Sequence, residues 1–177
     1  MRLLRHFLLT FLLLLPSLAL AHGPTRQKLS LAIDVKAPPE TVWATIGNFQ
    51  DMSWHPAVFS ATGKGDNTIG ATRTLTLGKE GGPTIAEELY KYDATKMSYS
   101  YRITAVEVSV LPVTNYSSHL TVTPGAGGGS HIEWRGAFYR GYPNNDPPEN
   151  LNDAAAIAAV TAVYKAGLDA LEAKFGK

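Results

Sequence analysis

Arg73 and Glu87 are the residues whose placement most needs a chemical explanation. Ile69, Ala71, Arg73, Leu75 and Leu77 share one face of an alternating run, as do Ile85, Glu87 and Leu89 in the next. Between the runs lies Gly78-Lys79-Glu80-Gly81-Gly82, a turn sequence. A hairpin centred on Glu80 sets Arg73 opposite Glu87, Leu75 opposite Ile85 and Ala71 opposite Leu89. A charge pair then stands in the middle of an apolar face, where burial is costly unless the charges are matched. Three readings are open: an anchor for a ligand carboxylate or hydroxyl inside a cavity, a structural ion pair, or a register slip that turns both groups to solvent.

By the same parity Tyr99, Tyr101, Tyr116, Trp134 and Phe138 point inward. Buried phenol and indole groups need hydrogen-bond partners, so these side chains line either a pocket or an ordinary aromatic core. His55, within Trp54-His55-Pro56, has the chemistry of a general base or of a hydrogen bonder at a cavity mouth. No Ser or carboxylate is tied to it by spacing, and a capping or packing histidine is the plainer alternative. His119 and His131 fall on the outer face of adjacent strands beside Glu133 and Arg135, as a solvated patch or a metal or partner site.

Other chemistry is excluded. The absence of Cys removes thiol nucleophiles, Cys-bound zinc, disulfides and a lipoprotein anchor. Gly125–Gly129 lacks the following helix and the Lys-Ser/Thr pair of a phosphate-binding loop, and no Gly-x-Ser-x-Gly occurs. Nothing calls for a cofactor, and no catalytic residue is assigned. Asn115-Tyr116-Ser117 is a glycosylation-type triplet, without consequence in a bacterium.

The elements that position these residues follow from the pattern. Lys28 to Val35 alternates as a half-buried strand, and Ala37-Pro38-Pro39-Glu40 opens a helix carrying Val42, Trp43, Ile46 and Phe49. Asn48 to His55 is a second short helix or a turn. Val58–Thr62, Ile69–Leu77, Thr84–Tyr92, Met97–Val106, Val113–Thr123 and Ser130–Arg140 read as strands of an antiparallel meander. After a Pro-rich loop, Asn152 or Asp153 caps a long helix whose apolar stripe is Ile157, Val160, Tyr164, Leu168, Leu171 and Phe175. The expected fold is α+β: about seven strands in a curved sheet, two short helices after the first strand, and a long C-terminal helix over the sheet.

Met1-Arg2-Leu3-Leu4-Arg5-His6, the apolar run Phe7–Leu15 and Ala19-Leu20-Ala21 match a cleavable secretory signal, so residues 1–21 are expected to be removed and 22–177 to form one exported domain. The run, interrupted by Pro16, is shorter than the ~20 apolar residues that span a bilayer. No other stretch is read as a membrane span. Cleavage would expose His22 as an amino-terminal residue, a weak candidate copper ligand against the plainer reading of a solvated terminus. The chain has 16 Lys+Arg and 15 Asp+Glu among 177 residues, a formal +1; without Arg2 and Arg5 the remainder carries −1. Neither value favours nucleic acid or anionic lipid as a partner.

The residues resemble the SRPBCC (START-like, Bet v 1-like, helix-grip) superfamily, in its polyketide cyclase/dehydrase branch. The similarity rests on Val42-Trp43, Phe49, Trp54-His55-Pro56, Gly70, Arg73-Thr74-Leu75-Thr76-Leu77, Glu87, Leu89, Tyr101-Arg102-Ile103, Pro112, Asn115-Tyr116-Ser117 and Trp134, across about residues 28–176. Within it the chain looks like the MxaD-type periplasmic accessory proteins of methanol oxidation. That likeness rests on His22-Gly23-Pro24-Thr25, Ser109-Val110-Leu111-Pro112-Val113, Gly136-Ala137-Phe138-Tyr139-Arg140-Gly141 and Thr161-Ala162-Val163-Tyr164-Lys165-Ala166-Gly167-Leu168. The resemblance implies an exported, non-enzymatic helper that promotes electron transfer from methanol dehydrogenase to its cytochrome c. The alternative is a periplasmic carrier or sensor for an apolar small molecule, held between sheet and helix by Arg73, Glu87 and Tyr101.

Overall fold

In a computed structural model, residues 23–176 are described; the expected signal segment and His22 lie outside them. Strand β1 (Gln27–Val35) alternates between half-buried and exposed side chains as its sequence does. Pro38 and Pro39 end that strand and start α1 (Pro39–Ile46), which buries Val42 and Ile46. Proline suits a helix start because the first amides have no intrahelical acceptor to lose.

No second helix follows. The Asn48 side chain accepts from the Gln50 amide at 3.1 Å and the Asp51 side chain from the Ser53 amide at 2.8 Å. These side chains compete with a helical ladder for the backbone donors and fold the segment into successive turns. The expectation of two short helices is corrected to one.

The meander comprises β2 (Val58–Lys64), β3 (Thr72–Leu77), β4 (Thr84–Asp93), β5 (Ser98–Val106), β6 (Val113–Pro124) and β7 (Ser130–Arg140). The sheet order is β1-β7-β6-β5-β4-β3-β2, antiparallel throughout. Register shifts at Ala86/Glu87, Leu89/Lys91 and Thr114/Ser117 mark bulges, which bend strands and increase twist. They curve the sheet around one face.

Ile69 does not belong to β3; it is 71% exposed. Gly65, Asp66 and Gly70 all have positive φ and hold a turn there, so the strand begins after Gly70. Met97, also at positive φ (45°), lies in the turn before β5 rather than in the strand.

The Asn152 side chain caps α2 (Asp153–Phe175) by accepting from the Ala155 amide at 2.8 Å. The helix buries Ala156, Val160, Tyr164, Gly167, Leu168 and Leu171 over β1 and β7. Ile157, expected in the stripe, is 38% exposed, because the helix rests on its neighbour Ala156. By length and composition alone α2 could cross a bilayer, contrary to the sequence reading. Here its apolar stripe closes the sheet.

Candidate functional site

The β3–β4 hairpin sets Arg73 against Glu87 and Leu75 against Ile85, and the Leu89 amide donates to the Ala71 carbonyl at 2.8 Å. Both charged groups point inward, at 1% and 4% exposure. Arg73 Nε donates to Glu87 Oε2 at 2.6 Å and Nη1 donates to the Phe49 carbonyl at 2.5 Å. The guanidinium carbon lies 4.2 Å from the Phe49 ring centroid and 5.2 Å from that of Tyr101. Burial pushes the Glu87 carboxyl up, and Arg73 opposes that shift. Burial also opposes the Arg73 charge, but Glu87 and the nearby Tyr99 and Tyr101 hold the guanidinium protonated. The ion pair is thus enclosed by aromatic rings and satisfied largely from within.

A second polar cluster adjoins it. The Tyr164 hydroxyl is 2.7 Å from that of Tyr116 and 2.8 Å from Ser118 Oγ. Trp134 Nε1 donates to Ser118 Oγ at 2.9 Å and to the Tyr101 hydroxyl at 3.2 Å, joining the two clusters. The Trp134 and Tyr164 rings stack at 4.4 Å. A Cβ at Gly136 would land on the Tyr164 hydroxyl, so only glycine admits that ring to the sheet. Tyr99 packs edge-on to Phe49 with centroids 6.1 Å apart. Burial raises Tyr101, Tyr116 and Tyr164 above the ordinary phenol range and moves Tyr99 up to about 12. These phenols remain neutral hydrogen-bonding groups and none is poised to act as a base.

His55 is 2% exposed and lies against Trp54, Trp134 and Gly167. Its Nδ1 accepts from the Ala57 amide at 3.2 Å, which leaves Nε2 to donate to the Val163 carbonyl at 3.0 Å. The two bonds fix the neutral tautomer and occupy both nitrogens. Burial lowers its pKa and Arg73 lowers it further. In this setting the imidazole clamps the turn segment to α2 and has no free nitrogen with which to take a proton.

The structure therefore gathers His55, Arg73, Glu87, Tyr99, Tyr101, Tyr116 and Trp134 into one continuous interior network. Three members were not singled out from sequence as polar groups: Ser118, the Tyr164 hydroxyl and the Phe49 carbonyl. Ser118 alternates with Tyr116 and Leu120, so its parity carried a signal; the Phe49 carbonyl left none. Two buried donors, Trp54 Nε1 and Arg73 Nη2, have no partner among the described residues.

The outer face is different. His131 Nδ1 meets Asp34 Oδ1 at 2.8 Å, and His119 lies between Ser100 Oγ (2.7 Å) and Thr121 Oγ1 (2.8 Å). Among the described residues no three His, Asp or Glu side chains stand together as a metal site. His119 and Arg135 line two adjoining surface grooves of about 450 and 570 Å³.

The sequence profile of the family described as polyketide cyclase / dehydrase and lipid transport matches residues 26–176. The chain belongs to that family. Solved structures agree with the assignment. The protein XoxI from Bacillus cereus is 30% identical with a TM-score of 0.69, over 84% of this chain and 94% of that one. A putative uncharacterized protein from Bacillus thuringiensis is likewise 30% identical with a TM-score of 0.69, over 84% and 98%. A Nitrosospira multiformis protein is 25% identical with a TM-score of 0.67, over 85% and 97%. No curated protein matches the chain.

Proposed function

We propose that this member of the polyketide cyclase/dehydrase family is an exported, non-enzymatic accessory protein of periplasmic methanol oxidation, acting by contact on methanol dehydrogenase or its cytochrome c. The observation that carries the non-enzymatic part is the occupation of the interior polar groups by one another. His55 has both nitrogens bonded, and Arg73 and Glu87 are paired at 2.6 Å. Catalysis needs a group free to change partners at the reacting atom. The choice of pathway is supported by the MxaD-like strings around Leu111-Pro112 and Tyr164-Lys165. The test is the rate of cytochrome c reduction by purified methanol dehydrogenase, with and without this protein. An increase is expected; an unchanged rate across stoichiometric excess overturns the proposal.

A second reading is a carrier, favoured by one observation. Trp54 Nε1 and Arg73 Nη2 are buried donors without partners among the described residues, and such donors suit an acceptor-bearing small molecule. Native mass spectra of gently purified protein decide it. A stoichiometric bound mass lost in Arg73→Met supports the carrier, whereas an empty protein removes it.

A further inference from the structure

The outer face of the sheet pairs some of its charges, Arg102 with Glu88 and His131 with Asp34 among them, and leaves others to solvent. A groove of about 450 Å³ runs across β1, β7 and β6 to β4, lined by Lys28, Ser30, Tyr90, Ser117, His119 and Arg135. None of its lining residues bears a carboxylate. At the rim, Arg26 donates to Ser117 Oγ at 3.2 Å and lies over the Tyr139 ring, which adds another cation. At His119 and Arg135 the groove joins a second of about 570 Å³, whose walls include the cations Lys91 and Lys96, the latter 3.5 Å from Asp93, and the carboxylates Glu40 and Glu133. Among the described residues, Lys28 and Lys91 form no ion pair, while Arg135 shares Glu133 at 3.4 Å and Glu133 is also held by Ser30 Oγ at 2.8 Å. The fields of Arg135 and Lys91 both reach the His119 imidazole, where, after burial, they further disfavour its protonation.

We propose that this outer face is a docking surface for an acidic, Asp/Glu-rich segment of a partner protein. Charge complementarity is the basis: exposed cations that the fold leaves uncompensated attract carboxylates, steer encounter and set orientation. The shape fits a protein segment better than a small ligand, because both grooves are open to solvent along the sheet and would leave most of a small molecule wet. The Tyr90 hydroxyl supplies a further donor between the cations. The identity of the partner rests on the accessory function proposed above; the chemistry of the surface does not.

The experiment is a titration of the ¹⁵N-labelled protein with hexaglutamate, followed by amide shifts. Shifts are expected at Lys28, Ser117, His119 and Arg135. The triple variant Lys28→Glu/Lys91→Glu/Arg135→Glu should weaken binding by about tenfold or more. All three side chains are exposed, so its thermal unfolding should match the parent. Absent shifts, shifts elsewhere, or an unaltered triple variant overturn the surface. Displacement by inorganic phosphate beyond that by sodium chloride at equal ionic strength also overturns it, in favour of a phosphate site. The same variant is then titrated with purified methanol dehydrogenase and cytochrome c. If the parent binds one of them and the variant binds as well, the surface fails and the accessory function stands. If the parent binds hexaglutamate at this face but neither protein, the accessory function fails and the surface stands.

Discussion

The two faces of one sheet solve the problem of polar groups in opposite ways. Along β6, Tyr116, Ser118 and Leu120 face the helix while Ser117, His119 and Thr121 face out; along β7, Trp134 faces in and Arg135 out. Inside, hydroxyl, indole and guanidinium groups bond mainly to one another, because a buried polar atom without a partner is costly. Outside, Lys28 and Lys91 form no ion pair among the described residues, because water serves them at little cost. Polar chemistry buried in the core is thereby mostly committed to holding the fold, with Trp54 Nε1 and Arg73 Nη2 left over among the described residues. Polar chemistry on the outer face is paired only in part, and Lys28 and Lys91 keep water as their partner.

The sharpest way to break this contrast is to strand one member of the interior pair. Glu87→Leu leaves Arg73 buried with only the Phe49 carbonyl and aromatic faces, and should cost about 3–5 kcal/mol in urea unfolding. The double variant Arg73→Met/Glu87→Leu removes both charges and should recover most of that loss. A cost below about 1 kcal/mol for the single variant would mean that water reaches the pair, and the distinction between the faces would collapse there.

Gly167→Ala comes next. A Cβ at this position would stand 2.7 Å from His55 Cδ2, 2.9 Å from Trp134 Cζ3 and 3.1 Å from Trp54 Cζ3. Overpacking of a rigid aromatic site costs about 1–3 kcal/mol, whereas helix propensity alone would favour Ala by about 1 kcal/mol. The sign of the measured change therefore separates packing from propensity. A more stable Gly167→Ala protein would show that the His55 clamp is loose.

These two predictions differ in how far they could be read from sequence. The Arg73–Glu87 register was legible because alternation has a period of two and one face is apolar, so a slip by one residue would have exposed Leu75 and Ile85. The inward tyrosines followed from the same parity. The His55 clamp was not legible: its acceptor, the Val163 carbonyl, is 108 residues away and backbone carbonyls carry no sequence signature. The absence of a second helix was hidden for a related reason, since Asn48 and Asp51 serve equally as helix caps or as turn formers until tertiary packing chooses. Ile157 misled because helical spacing allows a stripe to rotate by one residue, and only the docked sheet selects Ala156.

A smaller effect tests the clamp through pH. The folded His55 pKa lies below its ordinary value of 6.5, chiefly through burial. The unfolded chain then binds the proton more readily, so the contribution of His55 is fully present above about pH 6.5 and is lost as pH falls toward the folded pKa. His119 is shifted the same way and adds a parallel slope. His55→Gln should flatten part of the acid decline, and His55→Gln/His119→Gln more of it. An identical slope in parent and His55→Gln proteins would place the titration elsewhere.

The smallest expected effect on stability belongs to the outer face. Arg135 and Glu133 stand 3.4 Å apart, with Arg135 largely in solvent. Glu133→Ala or Arg135→Ala should change unfolding free energy by less than about 0.5 kcal/mol, because water replaces whatever the pair contributed. The outer face is informative because stability and binding come apart there. If Arg135→Ala unfolds like the parent yet fails to give the proposed stimulation of cytochrome c reduction that the parent gives, the exposed side chain serves a partner. If Arg135→Ala keeps full stimulation, the residue is ordinary solvated surface and the contact lies elsewhere on the molecule. A destabilisation of 1 kcal/mol or more would instead mean that the outer charges, like the inner ones, are part of what holds the sheet together.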